Sequence, residues 1–278
     1  MNDEFIHQLF ESHKECVQCP SREEVQNFFE GLLGTLFPNY SKVDHENLEA
    51  FNLHLLNLKE ELYELLYTQS KTTGFDAWEI TRSFFDAIPQ IYADLLQDVT
   101  AMYTGDPAAV SEDEVIRSYP GFYAIAAYRL AHQLAKSGVQ VIPRMITELA
   151  HNITGIDIHP NAKIGSHFCI DHGTGIVIGE TTIIGNHVKI YQGVTLGALS
   201  VKKEDAKTKR HPTIEDHVVI YSNATILGGE TAIGQNSTVG GNVWITKSIP
   251  PNSTVHYSTR VSAEGENAFE TNIIKTQS

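Results

Sequence analysis

The chain is written in two hydrophobic periods, and one gives way to the other near residue 154. Up to that point apolar residues recur three and four apart, the spacing of one face of an α-helix. Val25, Phe28, Phe29, Leu32, Leu33 and Leu36 follow a capping box of Ser21 and Glu24, and Pro38 stops the run. Leu48, Phe51, Leu55, Leu58, Leu62, Leu65 and Leu66 form a second stripe. Asp76 with Glu79 opens a third helix, which Pro89 should break or bend because proline removes an i→i−4 hydrogen bond. Ser111 with Glu114 caps a short helix. Another is expected from about Pro120 to Lys136, ending at Gly138. These stripes read as helix–helix packing and carry no chemistry by themselves.

From Ile158 onward the period is six. Every sixth residue gives Ile158, Ile164, Ile170, Ile176, Thr182, Val188 and Val194, with a parallel track through Ile178, Ile184, Ile190 and Leu196. After an interruption the beat resumes, shifted, as Ile214, Ile220, Ile226, Ala232, Thr238 and Trp244. Glycines keep the same rhythm at Gly173, Gly179 and Gly185, then at Gly228, Gly234 and Gly240. A period of six suits neither an amphipathic helix nor an alternating strand. It suits the hexapeptide β-helix, where three repeats close a triangular coil and the recurring aliphatic residue points inward. Such a solenoid winds left-handed, an exception to the usual right-handed crossover.

The expected fold is therefore α+β: a helical N-terminal domain over 1–153, a left-handed parallel β-helix over 154–256, and a C-terminal tail over 257–278. The interruption at 197–211 breaks the register by a non-multiple of six. It should leave the solenoid as an extruded loop.

Composition narrows the function. With 278 residues, 41% of them apolar and 19% charged, the chain has ample material for packed cores. No stretch reaches the roughly 20 apolar residues of a membrane helix, and the polar, acidic N-terminus lacks the pattern of a signal peptide. A cytoplasmic protein without membrane partners is expected. The net charge of −14 argues against non-specific nucleic-acid binding, which needs a basic footprint. Against that background Lys202, Lys203, Lys207, Lys209 and Arg210 cluster in the extruded loop, a place suited to a phosphorylated ligand or, equally, to a solvated surface. Three cysteines do not make a disulfide framework, and Cys16 and Cys19 form a CxxC with no second ligand pair. No metal site is expected.

Asp157 and His172 lie fifteen residues apart, just short of one full coil, so both can occupy one corner of adjacent layers. A carboxylate on one imidazole nitrogen fixes the tautomer and supports the charge formed when the other nitrogen takes a proton. The plain alternative is a turn residue on a solvated corner.

The segments DIHPNAKIG, IDHGTGIVIGET, VTLGA and KRHPTI, with GDPAAV and GFYAIAAYRLAHQL upstream, resemble the signature stretches of bacterial and plant serine acetyltransferases over roughly residues 90–255. The resemblance implies transfer of acetyl from acetyl-CoA to the hydroxyl of L-serine. It makes His172 the general base, Asp157 its carboxylate partner, and His211 a group that faces the reacting hydroxyl from a neighbouring subunit. It gives the substrate ammonium to Asp106 and Asp171 and its carboxylate to Arg210. Acetyl-CoA contacts would fall near Ala198, Ser222 and Gly240, and near Lys202 of the basic loop. A homo-oligomer, a trimer or a dimer of trimers, is implied.

There are departures. The basic loop is longer than usual, and Ala198 stands where a second glycine is common. The chain ends NIIKTQS rather than in isoleucine, which argues against docking to O-acetylserine sulfhydrylase. Three other readings stay open. One is the same chemistry on homoserine or an amino-sugar. Another is a zinc hydratase using the five-residue spacing of His167 and His172, although the third histidine should fall near residue 131, in helical sequence. The last is a non-catalytic binding solenoid.

Overall fold

The computed structural model describes residues 1–16, 20–199, 208–261 and 267–275. Among these, seven α-helices come first: α1 (Asp3–Cys16), α2 (Arg22–Leu36), α3 (Leu48–Thr73), α4 (Ala77–Gly105), α5 (Glu112–Ser118), α6 (Pro120–Lys136) and α7 (Val141–Thr154). Their starts follow side-chain chemistry. Ser21 Oγ accepts from the Glu24 N–H while the Glu24 carboxylate accepts from the Ser21 N–H, so the capping box is formed from both sides. Asp76 accepts from the N–H groups of Trp78 and Glu79, and Ser111 from that of Glu114. Of the break or bend expected at Pro89, the break does not occur. Helix α4 is continuous through Pro89. Phe84, Ile91 and Leu95 on either side of it are buried in the core, and their packing outweighs one missing hydrogen bond.

The solenoid follows directly. Its first coil is β1 (Asp157–Ile158), β2 (Lys163–Ile164) and β3 (Cys169–Asp171), and its second is β4 (Val177–Ile178), β5 (Ile183–Ile184) and β6 (Lys189–Tyr191). Then come β7 (Thr195–Gly197), β8 (Thr213–Ile214) and β9 (Val219–Ile220), followed by β10 (Thr225–Leu227), β11 (Ala232–Ile233) and β12 (Thr238–Val239). The last coil holds β13 (Trp244–Ile245) and β14 (Ser253–Val261), and β14 continues into an antiparallel hairpin with β15 (Asn267–Lys275). Every third strand pairs in parallel, giving three sheets in the orders β1-β4-β7-β10-β13, β2-β5-β8-β11 and β3-β6-β9-β12-β14-β15.

The period of six holds strand by strand and slips at three corners, the last coil being two residues short where Thr238 pairs with Thr254. The interruption after β7, contrary to expectation, keeps the register, since Ile183 pairs with Thr213, thirty residues on. Asp157 pairs with Val177, twenty residues on, because the turn after β3 carries two extra residues. The first apolar series therefore passes from strand centres (Ile158, Ile164, Ile170) to corner positions (Ile176, Thr182, Val188, Val194). The parallel track takes over the strand centres from Ile178. Both tracks are buried except for half-buried Ile164. In the second run one further residue enters at Gly228–Gly229. Ile214, Ile220 and Ile226 point inward, but Ile233, Val239 and Ile245 then replace Ala232, Thr238 and Trp244 as core residues. Trp244 is 62% exposed, contrary to the expectation that it packs inside.

Helices α4 and α6 pack on β3. The joint is polar at its centre. Buried Asp98 on α4 takes Nε and Nη2 of Arg129 on α6 at 2.5 and 2.8 Å, and also accepts from the Phe168 N–H at 2.8 Å. The same Arg129 Nη2 donates to the carbonyl of Gly165 at 2.8 Å. The helical domain is thus tied to the first coil within a stretch that leads to Asp106.

Candidate active site

The prism has three corners, and the site residues divide between two of them. On one corner His172–Ile176 lies beneath Gln192–Val194, Tyr221–Ala224 and Gly240–Val243. Backbone bonds stack these turns: Gly193 N to Thr174 O, Asn223 N to Gln192 O, and Asn242 N to Ser222 O. His172 adopts φ +57 in the two-residue-longer turn, so its side chain, 73% exposed, stands out from the corner.

Three other groups surround it. Its Nε2 is 3.7 Å from Asp171 Oδ1. Asp171 Oδ2 is 2.8 Å from Lys189 Nζ, which also donates to the carbonyl of Gly105 at 2.6 Å. Asp106, next in the chain after α4, accepts from Tyr119 Oη at 2.6 Å and from the Ala108 N–H at 2.8 Å. The Tyr119 bond first, then the Ala108 bond and the nearby charges of Lys189 and His172, hold the Asp106 carboxyl below its ordinary range. The same bond pushes the Tyr119 phenol up to about 12. The helical domain therefore brings Asp106 to Asp171 and His172 within one protomer. Cys169 is buried on this face, and burial pushes its thiol up to about 12, far from the thiolate an acyl-enzyme would need.

The next corner lies at the far end of β4. There His211 is buried. Its Nδ1 faces the Thr181 N–H at 3.1 Å and Thr181 Oγ1 at 2.9 Å, while Oγ1 accepts from the N–H groups of Arg210 and His211. A backbone N–H can only donate, so the ring proton sits on Nε2. Burial, then the Arg210 charge, lowers the His211 pKa to about 4, and the ring is neutral at physiological pH. Arg210 Nη2 is bonded to Glu180 Oε2. Burial opposes ionisation of Glu180, but the bonds from Arg210 and Asn161 prevail and its carboxyl titrates low.

The remaining expected positions are more scattered. Asp157, half-buried at the start of β1, lies 3.7 Å from Arg144 Nη2 and in a cluster with Glu148 and His151. Among the described residues no hydrogen bond joins it to His172, because the longer turn carries the imidazole outward. Ser222 and Gly240 stack above His172 on its corner, whereas Ala198 lies on the corner of His211. Lys202, Lys203 and Lys207, like Cys19, lie outside the described residues. His167 and His172 stand on different corners, at opposite ends of β3, so the zinc spacing read from sequence does not bring them together. His167 instead stacks on His187, and His187 on His217, at 4.3 and 4.8 Å between centroids.

Sequence reasoning missed Lys189, Tyr119, Glu180, Thr181 and Gly179. Glu180 and Thr181 stood in the IGET stretch already read. Lys189 looked like any lysine on an outward strand position.

A helical domain docked on a parallel solenoid of six-residue repeats, with histidine, arginine and carboxylates on its corners, defines a hexapeptide-repeat acyltransferase. No known family profile matches the chain. It is 43% identical over 257 residues to a plasmid-encoded serine acetyltransferase of Synechococcus elongatus, an alignment that spans 84% of this chain and 80% of that protein. It is 45% identical over 161 residues to the serine acetyltransferase of Bacillus subtilis, across 58% of this chain and 72% of the relative. Among solved structures, serine acetyltransferase isoform 3 of Entamoeba histolytica in complex with cysteine superposes with a TM-score of 0.74 at 39% identity, covering 84% of this chain and 82% of that one. The Neisseria gonorrhoeae enzyme in complex with serine does so at 0.58 and 27%, covering 84% and 94%. The chain belongs to the serine acetyltransferase family and is an acyltransferase of the serine O-acetyltransferase class.

Proposed function

We propose that this enzyme acetylates L-serine from acetyl-CoA in a site completed by a second copy of the chain. The observation that carries the reading is the division of the site between two corners of one prism. His172, Asp171 and Asp106 stand at one end of β4, and Arg210 and His211 at the other. In a ring of parallel prisms the Arg210 corner of one copy faces the His172 corner of the next, giving equivalent interface sites under cyclic symmetry. A trimer, or two trimers paired through the helical domains, has this geometry.

Within such a site a zwitterionic amino acid meets opposite charges at its two ends. Asp106 and Asp171 lie on the side of its ammonium. Arg210, held by Glu180, presents a guanidinium to its carboxylate, a pairing suited to bidentate bonding. His172 takes the hydroxyl proton as the serine oxygen attacks the thioester carbonyl. The C–S bond then breaks, and the departing CoA sulfur recovers that proton from His172. Neutral His211 offers Nε2–H to the reacting oxygen or to the oxyanion, where such a donor contributes about 10²–10³ in rate. Asp157 serves as carboxylate partner when the exposed His172 ring swings toward it. Acetyl-CoA runs along the groove past Ser222, Gly240 and the neighbour's Ala198.

The test is an acceptor screen that follows thiol release from acetyl-CoA with serine, homoserine, threonine and amino-sugars. Serine should exceed the others in kcat/KM. A preference for homoserine or an amino-sugar would keep the chemistry and replace the acceptor.

A further inference from the structure

Lys189 is the one ammonium group that the chain itself places among the acceptor-side carboxylates of the described residues. It projects from β6 on the outer face of its sheet, one coil above Asp171. Its side chain is 16% exposed, and that of Asp171 is 11% exposed. Nζ has two oxygen partners, Asp171 Oδ2 at 2.8 Å and the Gly105 carbonyl at 2.6 Å, and lies 4.5 Å from the centre of the Tyr191 ring. Although burial works against its charge, the bond it donates to Asp171, the adjoining Tyr191 and the neighbouring negative charges raise its pKa above the ordinary lysine value. It is charged throughout the working range.

The consequences are geometric and electrostatic. Gly105 ends α4 and Asp106 follows it, so the bond from Nζ to the Gly105 carbonyl clamps the peptide that carries Asp106. Asp171 is not free to give both oxygens to a substrate, since one is already held. Two carboxylates and one ammonium leave a single negative charge, the complement of one substrate ammonium.

We propose that Lys189 is a positioning residue that sets the charge and placement of the acceptor pocket: it neutralises Asp171 and fixes the Gly105–Asp106 peptide, so that Asp106 supplies the pocket's net charge. This inference rests on the serine-acetyltransferase reading of the site. The charged and titratable groups that face Lys189 are Asp171 and Cys169 from β3, Tyr191 from β6 itself, Asp106 after α4, Tyr119 with Glu114 beyond it, and His172 from the turn. Without Lys189 no ammonium stands between Asp171 and the Gly105–Asp106 peptide, and two neighbouring carboxylates with no counter-charge take up a proton at higher pH than either alone.

The experiment compares Lys189→Met, Lys189→Gln and Lys189→Arg with wild type in serine and acetyl-CoA kinetics from pH 5 to pH 8. A ¹³C titration of the aspartate carboxylates runs alongside. For Met and Gln, kcat/KM for serine should fall by roughly tenfold, the scale of one lost charge-assisted contact, with KM for acetyl-CoA within about twofold. The acid limb of the serine profile and the titration of the Asp106–Asp171 pair should both move to higher pH. Arg should restore most of both. A merely structural lysine would change Tm and leave the carboxylate titration where it was. An unmoved titration in a folded Met or Gln variant overturns the proposal, and Gln, which keeps a donor to Asp171, decides if Met does not fold. Wild type that fails to acetylate serine would instead count against the acceptor, and the carboxylate titration would still decide the role of Lys189.

Discussion

The ring of His211 rests directly on Gly179, so closely that a Cβ at residue 179 would lie 2.0 Å from ring atom Cδ2 and 2.1 Å from Nε2. Nothing in the backbone angles of Gly179 demands glycine. The demand is for space, and it comes from the imidazole of His211, thirty-two positions further along the chain. The glycine beat of the repeats and the placement of the His211 ring are here one requirement.

Gly179→Ala should therefore push His211 off its seat while leaving the coil intact. We expect kcat to fall by about 10² or more, comparable with loss of one oxyanion donor, with far-UV circular dichroism unchanged. An alanine variant of near wild-type turnover would show that the ring's position does not matter to the reaction.

His211 also gives stability a pH dependence of known sign. Its folded pKa of about 4 lies below the ordinary histidine value, so between about pH 6.5 and pH 4 the unfolded chain binds a proton that the folded chain does not. Stability is fully present above that window and is lost as pH falls through it. Thermal melts from pH 7.5 to pH 4.5 should show Tm dropping more steeply in wild type than in His211→Asn, where an amide oxygen can still take the Thr181 N–H. Parallel curves for the two proteins would remove His211 from the account.

Much of this was legible in the chain before folding. Inward residues repeat every sixth position because each coil repeats one environment, and side chains such as Ile158 and Ile170 report it directly. What the period could not report was where it slips. Two extra residues at the His172 turn and one at Gly228–Gly229 leave no compositional mark, yet they moved Trp244 to the surface and separated His172 from Asp157. His172 stood out by its spacing from Asp157, whereas the parts given to Asp106, Asp171, Arg210 and His211 came through resemblance. Lys189 and Tyr119 were not found, since their meaning comes from the docking of the helical domain on β3, which no local pattern encodes.

That docking depends on the Asp98–Arg129 pair. Asp98 has no exposed surface, and its oxygens serve Arg129 and the Phe168 N–H. Arg129→Met leaves a buried carboxylate without its counter-charge and should destabilise by about 3–5 kcal/mol. Arg129→Met with Asp98→Leu should recover a good part of that loss, because removing both charges removes the uncompensated one. Urea titrations of the single and double variants test this. A double variant no more stable than the single would place the weight on the bonds to Phe168 and Gly165.

The shared site makes the strongest demand on the assembly. His172 and His211 belong to different corners of one prism, so on the proposed reading a substrate meets both only at an interface between two copies. His172→Ala should lose about 10²–10⁴ in kcat, the usual contribution of a general base. His211→Ala should lose a comparable amount through the opposite side of the interface. Mixed in equal parts, unfolded and refolded together, the two inactive proteins should regain activity. A ring built from both has some interfaces where the intact His172 of one copy meets the intact His211 of the next. In a trimer of random composition these interfaces form in a fixed fraction of sites, so the recovered activity is set by mixing ratio and falls away as either variant dominates. Double-tag purification of the mixed oligomer secures that subunits have exchanged. Activity that stays at the level of the single variants in such a purified hybrid, or full activity of wild type at dilutions where sedimentation shows only monomer, would mean that each protomer carries a complete site.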